Sequence, residues 1–288
     1  MFEKPRKTHP FAVVASAAVF MLATVATLGP GAFQPASSAE LTLDAAVGNP
    51  ARSAKFVTRD KARHPLDELA FFGLTPQSTV VEIWPGGGYW TEILAPFLRD
   101  HGVYYVALQG KGGDEAADAE ADKLNALFRN KVEADKPTYG KITPTLLGVG
   151  QFDIAPPGSA DVVLSFRNLH NWLKDGFASD ALAAFYRALK PGGVLGLEDH
   201  RGQRNSPQDP KAADGYVRQD YAIALAQKAG FEFVGSSEIN ANPKDTANWP
   251  KGVWTLPPTF ALGDEDRAKY AAIGEADNFV LKFRKPAQ

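Results

Sequence analysis

Apolar positions fall into two regimes along this chain. Between residues 11 and 28 they run almost without interruption, and after residue 40 they break into short strand-length runs separated by stretches with helical spacing. The runs at 80–83, 103–108, 143–149, 162–166, 194–199, 231–239 and 278–283 have the length and the β-branched or aromatic content of buried strands. Between them, 91–99, 114–135, 180–190 and 215–229 place apolar residues at intervals of three and four. In 114–135 the series is Leu124, Leu127, Phe128 and Val132 on an otherwise charged, Ala-rich segment, the pattern of a covering helix. Ahead of the first strand the spacing predicts helices over 51–61 and 66–72, the second opened by His64-Pro65 and closed by Gly73. Strand and helix alternate, so the predicted architecture is α/β, a doubly wound Rossmann-like sheet of seven strands with the last antiparallel.

The first regime reads as an export signal. Lys4, Arg6 and Lys7 precede the apolar run, and Ser37-Ser38-Ala39 before Glu40 has the small residues of a cleavage site. The expected organisation is a signal over 1–39 and one folded domain over 40–288, with a helical cap at 40–73 and a Pro/Trp-rich insertion at 240–262. The expected location is periplasmic or extracellular with no stable membrane insertion after cleavage; an uncleaved anchor is the alternative. Absence of cysteine excludes disulfides, thiolate nucleophiles and Cys-ligated metals, and a net charge of −2 gives no footprint for nucleic acid.

Candidate chemistry gathers at the ends of predicted strands. Glu82-Ile83-Trp84-Pro85-Gly86-Gly87-Gly88 joins the first strand to a helix through glycines that allow positive φ and close approach of a ligand. It matches neither the dinucleotide fingerprint, since Thr91 stands where the third glycine should be, nor the Lys-Ser/Thr phosphate loop. The fourth strand runs into Arg167-Asn168-Leu169-His170-Asn171-Trp172, and the fifth into Glu198-Asp199-His200-Arg201. In a parallel sheet both groups emerge at the ligand-binding edge. A general base with its orienting carboxylate and a His/Asp metal site are both open to two histidines and two acids there.

Glu82, Gly86 and Gly88 fill three of the four fixed places of acid-x-Gly-x-Gly-x-Gly, and Leu189-Lys190-Pro191-Gly192-Gly193 precedes the fifth strand. With Gln227-Lys228-Ala229-Gly230-Phe231, this resembles the class I S-adenosylmethionine (SAM) dependent methyltransferases. Arg63-His64-Pro65-Leu66-Asp67-Glu68-Leu69 further resembles a subfamily of exported predicted methyltransferases. The resemblance implies SAM as cofactor, held by Glu82, Pro85, Gly86, Gly87, Gly88, Gln109, Asp153, Arg167 and Asn168. It also implies a small-molecule acceptor near Arg59, Asp60, Trp172 and Arg201, with His170 or His200 as base and Asp199 orienting it. The chain departs from the family in two places: Trp84 replaces the first glycine, and Gln109 stands where an acid normally accepts from the ribose hydroxyls. Two alternatives follow from these departures and from SAM being made in the cytoplasm. One is an exported, non-catalytic binding protein on the same fold. The other is a metal-assisted hydrolase using His170, Asp199 and His200.

Overall fold

Seven strands pair into one sheet: β1 (Thr79–Ile83), β2 (Val103–Gln109), β3 (Ile142–Leu147), β4 (Ala160–Phe166), β5 (Leu189–His200), β6 (Glu232–Ser237) and β8 (Asn278–Arg284). The short β7 (Pro250–Val253) stands apart from it. The computed structural model describes residues 1–2, 40–112 and 115–287, so the expected export signal lies, apart from its first two residues, outside the described residues. Among the described residues no helix is long and apolar enough to cross a membrane.

The strand order is β3-β2-β1-β4-β5-β8-β6. All neighbours from β3 to β5 are parallel, and β8 runs antiparallel to both β5 and β6. The order reverses between β1 and β4, which makes the C-terminal ends of those two strands the natural ligand crevice of such a sheet. The expected doubly wound sheet with an antiparallel last strand is the fold observed.

Helices cover both faces because the central strands are apolar on both sides, with Val80, Val81 and Ile83 of β1 and Val162, Val163 and Leu164 of β4 all buried. One face packs against α1 (Leu43–Val47), α2 (Ala54–Val57), α4 (Pro65–Phe72), α5 (Thr91–Leu98), α6 (Glu115–Ala134) and α7 (Lys136–Tyr139), through Phe56, Phe72, Leu94 and Phe128. The other packs against α8 (Leu169–Lys174), α9 (Ala178–Ala188) and α10 (Gln219–Lys228), through Trp172, Leu182, Phe185 and Ala222. A smaller apolar cluster of Tyr216, Val253, Leu256, Tyr270 and Ala276 ties the 240–262 insertion to α11 (Arg267–Ile273).

Two local expectations are corrected. The helix expected over 51–61 is broken into α2 and α3 (Asp60–Arg63). Tertiary polar contacts set these breaks: Arg52 closes bidentately on Asp60 at 2.7 and 2.8 Å, and Glu92 of α5 accepts from Ser53. His64, the residue before Pro65, then takes a left-handed φ of 38° and ends α3. The second correction lies after β4, where residues 169–172, expected at the end of the strand, open α8 instead.

Gly196 in β5 records how closely α4 is seated. A Cβ there would come within 2.8 Å of the Phe72 ring. Gly196→Ala is therefore expected to destabilise the fold by about 1–3 kcal/mol through overpacking. Denaturant titration should show a lower midpoint with an unchanged slope.

Candidate active site

The crevice begins where β1 ends. Trp84 continues the ladder by donating its N–H to the Ala107 carbonyl at 2.8 Å, but its φ of 49° turns the chain out of the sheet. Its indole reaches past β2, and Nε1 donates to the Leu147 carbonyl at the end of β3 (3.0 Å). The ring meets Trp172 and Phe177 at centroid distances of 6.0 and 6.1 Å. The turn then needs positive φ at Gly86 (55°) and Gly88 (83°), and the Pro85 carbonyl accepts from Gly88 N–H at 2.9 Å. A Cβ on Gly86 would meet nothing within 4 Å, so the turn is open there; Gly87 and Gly88 are backed by Phe56 and Lys131.

Glu82 serves this turn from below. Its carboxylate is buried beneath α5, where Oε2 accepts from Thr91 at 2.7 Å and from the Tyr104 hydroxyl. Burial pushes it up to about 7, against the hydrogen bonds from Tyr104 and Thr91 that favour the anion. Glu82 therefore fixes the start of α5, and through it the Gly turn.

At Trp84, which leads into the turn, lies a cavity of about 310 Å³, lined also by Gln109, Lys111, Asn171, Lys174 and Phe177; Gly86, Gly87, Gly88, Arg167, Asn168 and His170 are not among its lining residues. Gln109 is set in place by Asn125 of α6, whose amide accepts from its N–H (3.1 Å) and donates to its carbonyl (2.7 Å). Asp153 is not among the lining residues. It is exposed, pairs with Arg187 at 3.1 Å and sits in a separate surface hollow with Leu108 and Arg129.

Across the crevice, β4 ends in Arg167, another non-glycine residue at positive φ (59°). Its N–H donates to the Glu198 carbonyl at 2.8 Å, while the Asn168 amide donates to the Ile83 carbonyl at 3.0 Å and ties the end of β4 to β1. The chain then turns into α8 and delivers His170. Asp199, fully buried at the end of β5, accepts from His170 N–H through Oδ2 and from His170 Nδ1–H through Oδ1, both at 2.9 Å. The backbone N–H of His200 donates to the same Oδ1 at 2.7 Å. The His200 ring is fixed by Asn278: the Asn278 amide donates to the Ala276 carbonyl (3.0 Å), which leaves Oδ1 to accept from His200 Nδ1–H (2.8 Å). This network assigns both rings the tautomer that leaves Nε2 as the lone-pair nitrogen. The ring centroids are 5.3 Å apart, with Trp254 6.1 Å from His170 and Tyr216 6.4 Å from His200.

Burial alone would raise the Asp199 carboxyl, but its interaction with His170, including the hydrogen bonds it accepts from that residue, holds it below its ordinary value. The His200 imidazole goes the other way, to about 3, chiefly by burial, with His170 and Arg167 repelling the cation against the attraction of Asp199. His200 is therefore neutral at any ordinary pH. One donor atom from each of His170, Asp199 and His200 lies within 4.8 Å of the others, the only such group among the described residues. Both Asp199 oxygens are already committed to hydrogen bonds, so its part in the trio is to orient His170.

The cap contributes charge. Arg59 grips Glu275 bidentately at 2.6 and 2.7 Å, Arg167 reaches the same carboxylate at 2.9 Å, and Arg63 lies 3.6 Å from it. Asp60 is held by Arg52 and by the Tyr89 hydroxyl at 2.6 Å. Arg59 and Asp60, the expected substrate contacts, are each already paired, and Arg59 shares Glu275 with Arg167. Trp172 does not join them: it is fully buried in the core under α9, where its ring packs on Phe185, so the expected contact with a substrate is corrected. Arg201 faces away into a different hollow, paired with Glu238 at 2.7 Å and Asp277 at 3.4 Å. The sequence reading missed Glu275 and Asn278, which sit in no motif and become visible only when β8 is paired beside β5.

No protein-family model matches the chain, and no curated protein sequence matches it. Among solved structures, a SAM dependent methyltransferase from Aquifex aeolicus superposes with a TM-score of 0.53 at 14% identity, over 79% of this chain and 93% of that one. The [4+2]-cyclase SpnF superposes with a TM-score of 0.50 at 16% identity, over 78% and 82%. The sheet order and these likenesses define a class I methyltransferase fold. The two relatives carry different reactions in their names, so the fold is shared and the chemistry has to be argued from the site.

Glu82 gives this arrangement a pH signature. Its folded value, near 7, lies above the ordinary carboxyl value, so the native state keeps a proton that the unfolded chain has released. The stability it contributes is complete below about pH 4 and is lost as pH rises through 7. The expected loss is on the order of 3 kcal/mol. Glu82→Gln should flatten that part of the decline in unfolding free energy between pH 5 and 8.

Proposed function

We propose that this chain is a SAM-dependent methyltransferase acting on a small-molecule acceptor, with His170 as the general base. The observation that carries the reading is the placement of His170. Asp199 leaves His170 Nε2 free at the start of α8, which follows β4, and β4 lies across the strand-order reversal from β1, whose end carries the open Gly86 turn.

The residues present fit the cofactor. The 310 Å³ cavity has the scale of small-molecule sites, takes in Trp84 at the entrance to the Gly turn, and presents the Gln109 amide as both donor and acceptor. Trp84, Gln109 and the Gly86–Gly88 turn would hold the nucleoside. Bound SAM supplies an electrophilic sulfonium methyl. The chain supplies position, exclusion of water and a proton acceptor. Asp199 keeps the proton on Nδ1 of His170 and steadies the imidazolium once Nε2 has taken a proton from the acceptor. His200, neutral and fixed by Asn278, offers a second acceptor nitrogen to the same substrate. The Trp84 indole takes space that a first glycine would leave free, which favours a cofactor pose displaced towards Gln109 and Lys111.

The expected export of the chain rests on Lys4, Arg6, Lys7, the apolar run at 11–28 and the small residues before Glu40. It is part of the same proposal and is checked by N-terminal sequencing of the secreted form.

Calorimetric titration of the full chain with S-adenosylhomocysteine tests the cofactor. Micromolar binding is expected, weakened at least tenfold by Gly86→Val, which adds strain at a positive φ. No binding by the folded protein would sink the reading. With an acceptor in hand, His170→Ala should lower kcat by about 10²–10⁴ with cofactor affinity retained, and Asp199→Asn should act in the same direction by releasing the tautomer.

A further inference from the structure

We propose that Arg63 and Arg167 form an anion-binding site that takes a carboxylate carried by the acceptor. That the carboxylate belongs to an acceptor rests on the transfer reading above; the anion site itself does not. Three guanidinium groups, those of Arg59, Arg63 and Arg167, converge on the single carboxylate of Glu275. Arg59 takes both of its oxygens, and Arg167 is left with a side chain only 10% exposed whose Nη2 has no hydrogen-bond partner among the described residues. The buried Nε of Arg63 faces Glu275 Oε2 at 3.6 Å, beyond hydrogen-bond reach, and its guanidinium lies 4.4 Å over the Tyr89 ring.

Two further carboxyls lie nearby. Glu68 is wholly buried and raised well above its ordinary value, first by burial and then by the facing Glu198. Glu198 lies 3.7 Å from Arg167 and is pushed up to about 7 by burial, despite that guanidinium. Asn240 bridges the pair, donating to Glu68 at 2.8 Å and to Glu198 at 3.1 Å. Three guanidinium groups thus share Glu275, with Glu198 held off at 3.7 Å, and Arg167 Nη2 is left over as a buried donor. A buried guanidinium N–H left without a hydrogen-bond partner is costly, and it matches a carboxylate oxygen.

Position gives the site its use. Arg167 holds a left-handed φ that turns its chain at the end of β4, and His170 follows three residues later. An acceptor anchored by its carboxylate at Arg167 and Arg63 would present its remaining groups towards His170 and His200. The class of acceptor is thus a small acid bearing a separate O–H or N–H.

Acetate and benzoate titrated into the full chain, with acetamide and benzamide as uncharged controls, test the site through the thermal midpoint and tryptophan fluorescence. A saturable response to the carboxylates that the amides do not give is expected. Arg63→Gln and Arg167→Gln should weaken it at least tenfold, and Glu275→Gln should strengthen it by removing the competing carboxylate. Should either glutamine variant fail to fold by circular dichroism, Arg63→Lys keeps the charge, loses the fork and should still weaken benzoate. No saturable response in the native chain, or an undiminished response in folded arginine variants, would overturn the site. Loss of the response in folded Glu275→Gln would do so too.

The amino-acid tail of the cofactor is the other source of such a carboxylate. Paired titrations with S-adenosylhomocysteine and 5′-methylthioadenosine, which lacks that tail, separate the two. Weakening of the first alone by Arg63→Gln would overturn the acceptor assignment; equal retention of both beside a lost benzoate response supports it. A native chain that binds neither nucleoside yet still binds benzoate would refute methyl transfer and leave the anion site standing.

Discussion

The buried carboxylate of Asp199 is the interaction on which the crevice depends. It sits at the last turn of a central strand with no exposure, and it accepts from two backbone N–H groups and one imidazole. Those bonds fix where α8 begins relative to β5 and which nitrogen of His170 is left free. A buried anion is stable only when so satisfied. The local turn after β4, the strained Arg167 and the ring orientation are thus consequences of one desolvated group.

Glu82 plays the matching part on the other side of the order reversal. It ties β1 to β2 and α5, and so holds the Gly turn without facing its open side. The two halves of the crevice are each built on a buried acid, and Asn168 joins them by donating to the Ile83 carbonyl. Rigidity at the edge comes from this cross-bracing, and it lets Gly86 remain open where a ligand would lie.

Much of the scaffold was legible because strand and helix periodicities were strong and the Gly turn followed a strand, as such turns must. Leu189 to Gly193 was expected to precede the fifth strand, but β5 begins at Leu189 and runs through Gly192, at φ 80°, which bonds to Lys285 beside β8. The pairing of His170 with Asp199 was also readable, because both stood at ends of adjacent parallel strands. What stayed hidden depended on distant contacts. The broken cap helices answer to Glu92 and Asp60, and the role of Arg59 answers to Glu275, 216 residues away. Trp172 looked like a pocket wall from its neighbours in sequence; α8, which sequence spacing did not reveal, rotates it into the core.

The central claim is that the ligand crevice spans the Gly86 turn and the ends of β2 and β4. Hydrogen exchange of the full chain with and without S-adenosylhomocysteine tests it most directly, because protection reports where a ligand quenches local opening. The account predicts slowed exchange at residues 84–90, 109–112 and 167–171. Protection confined to other segments, or unchanged exchange at saturating ligand, would contradict it.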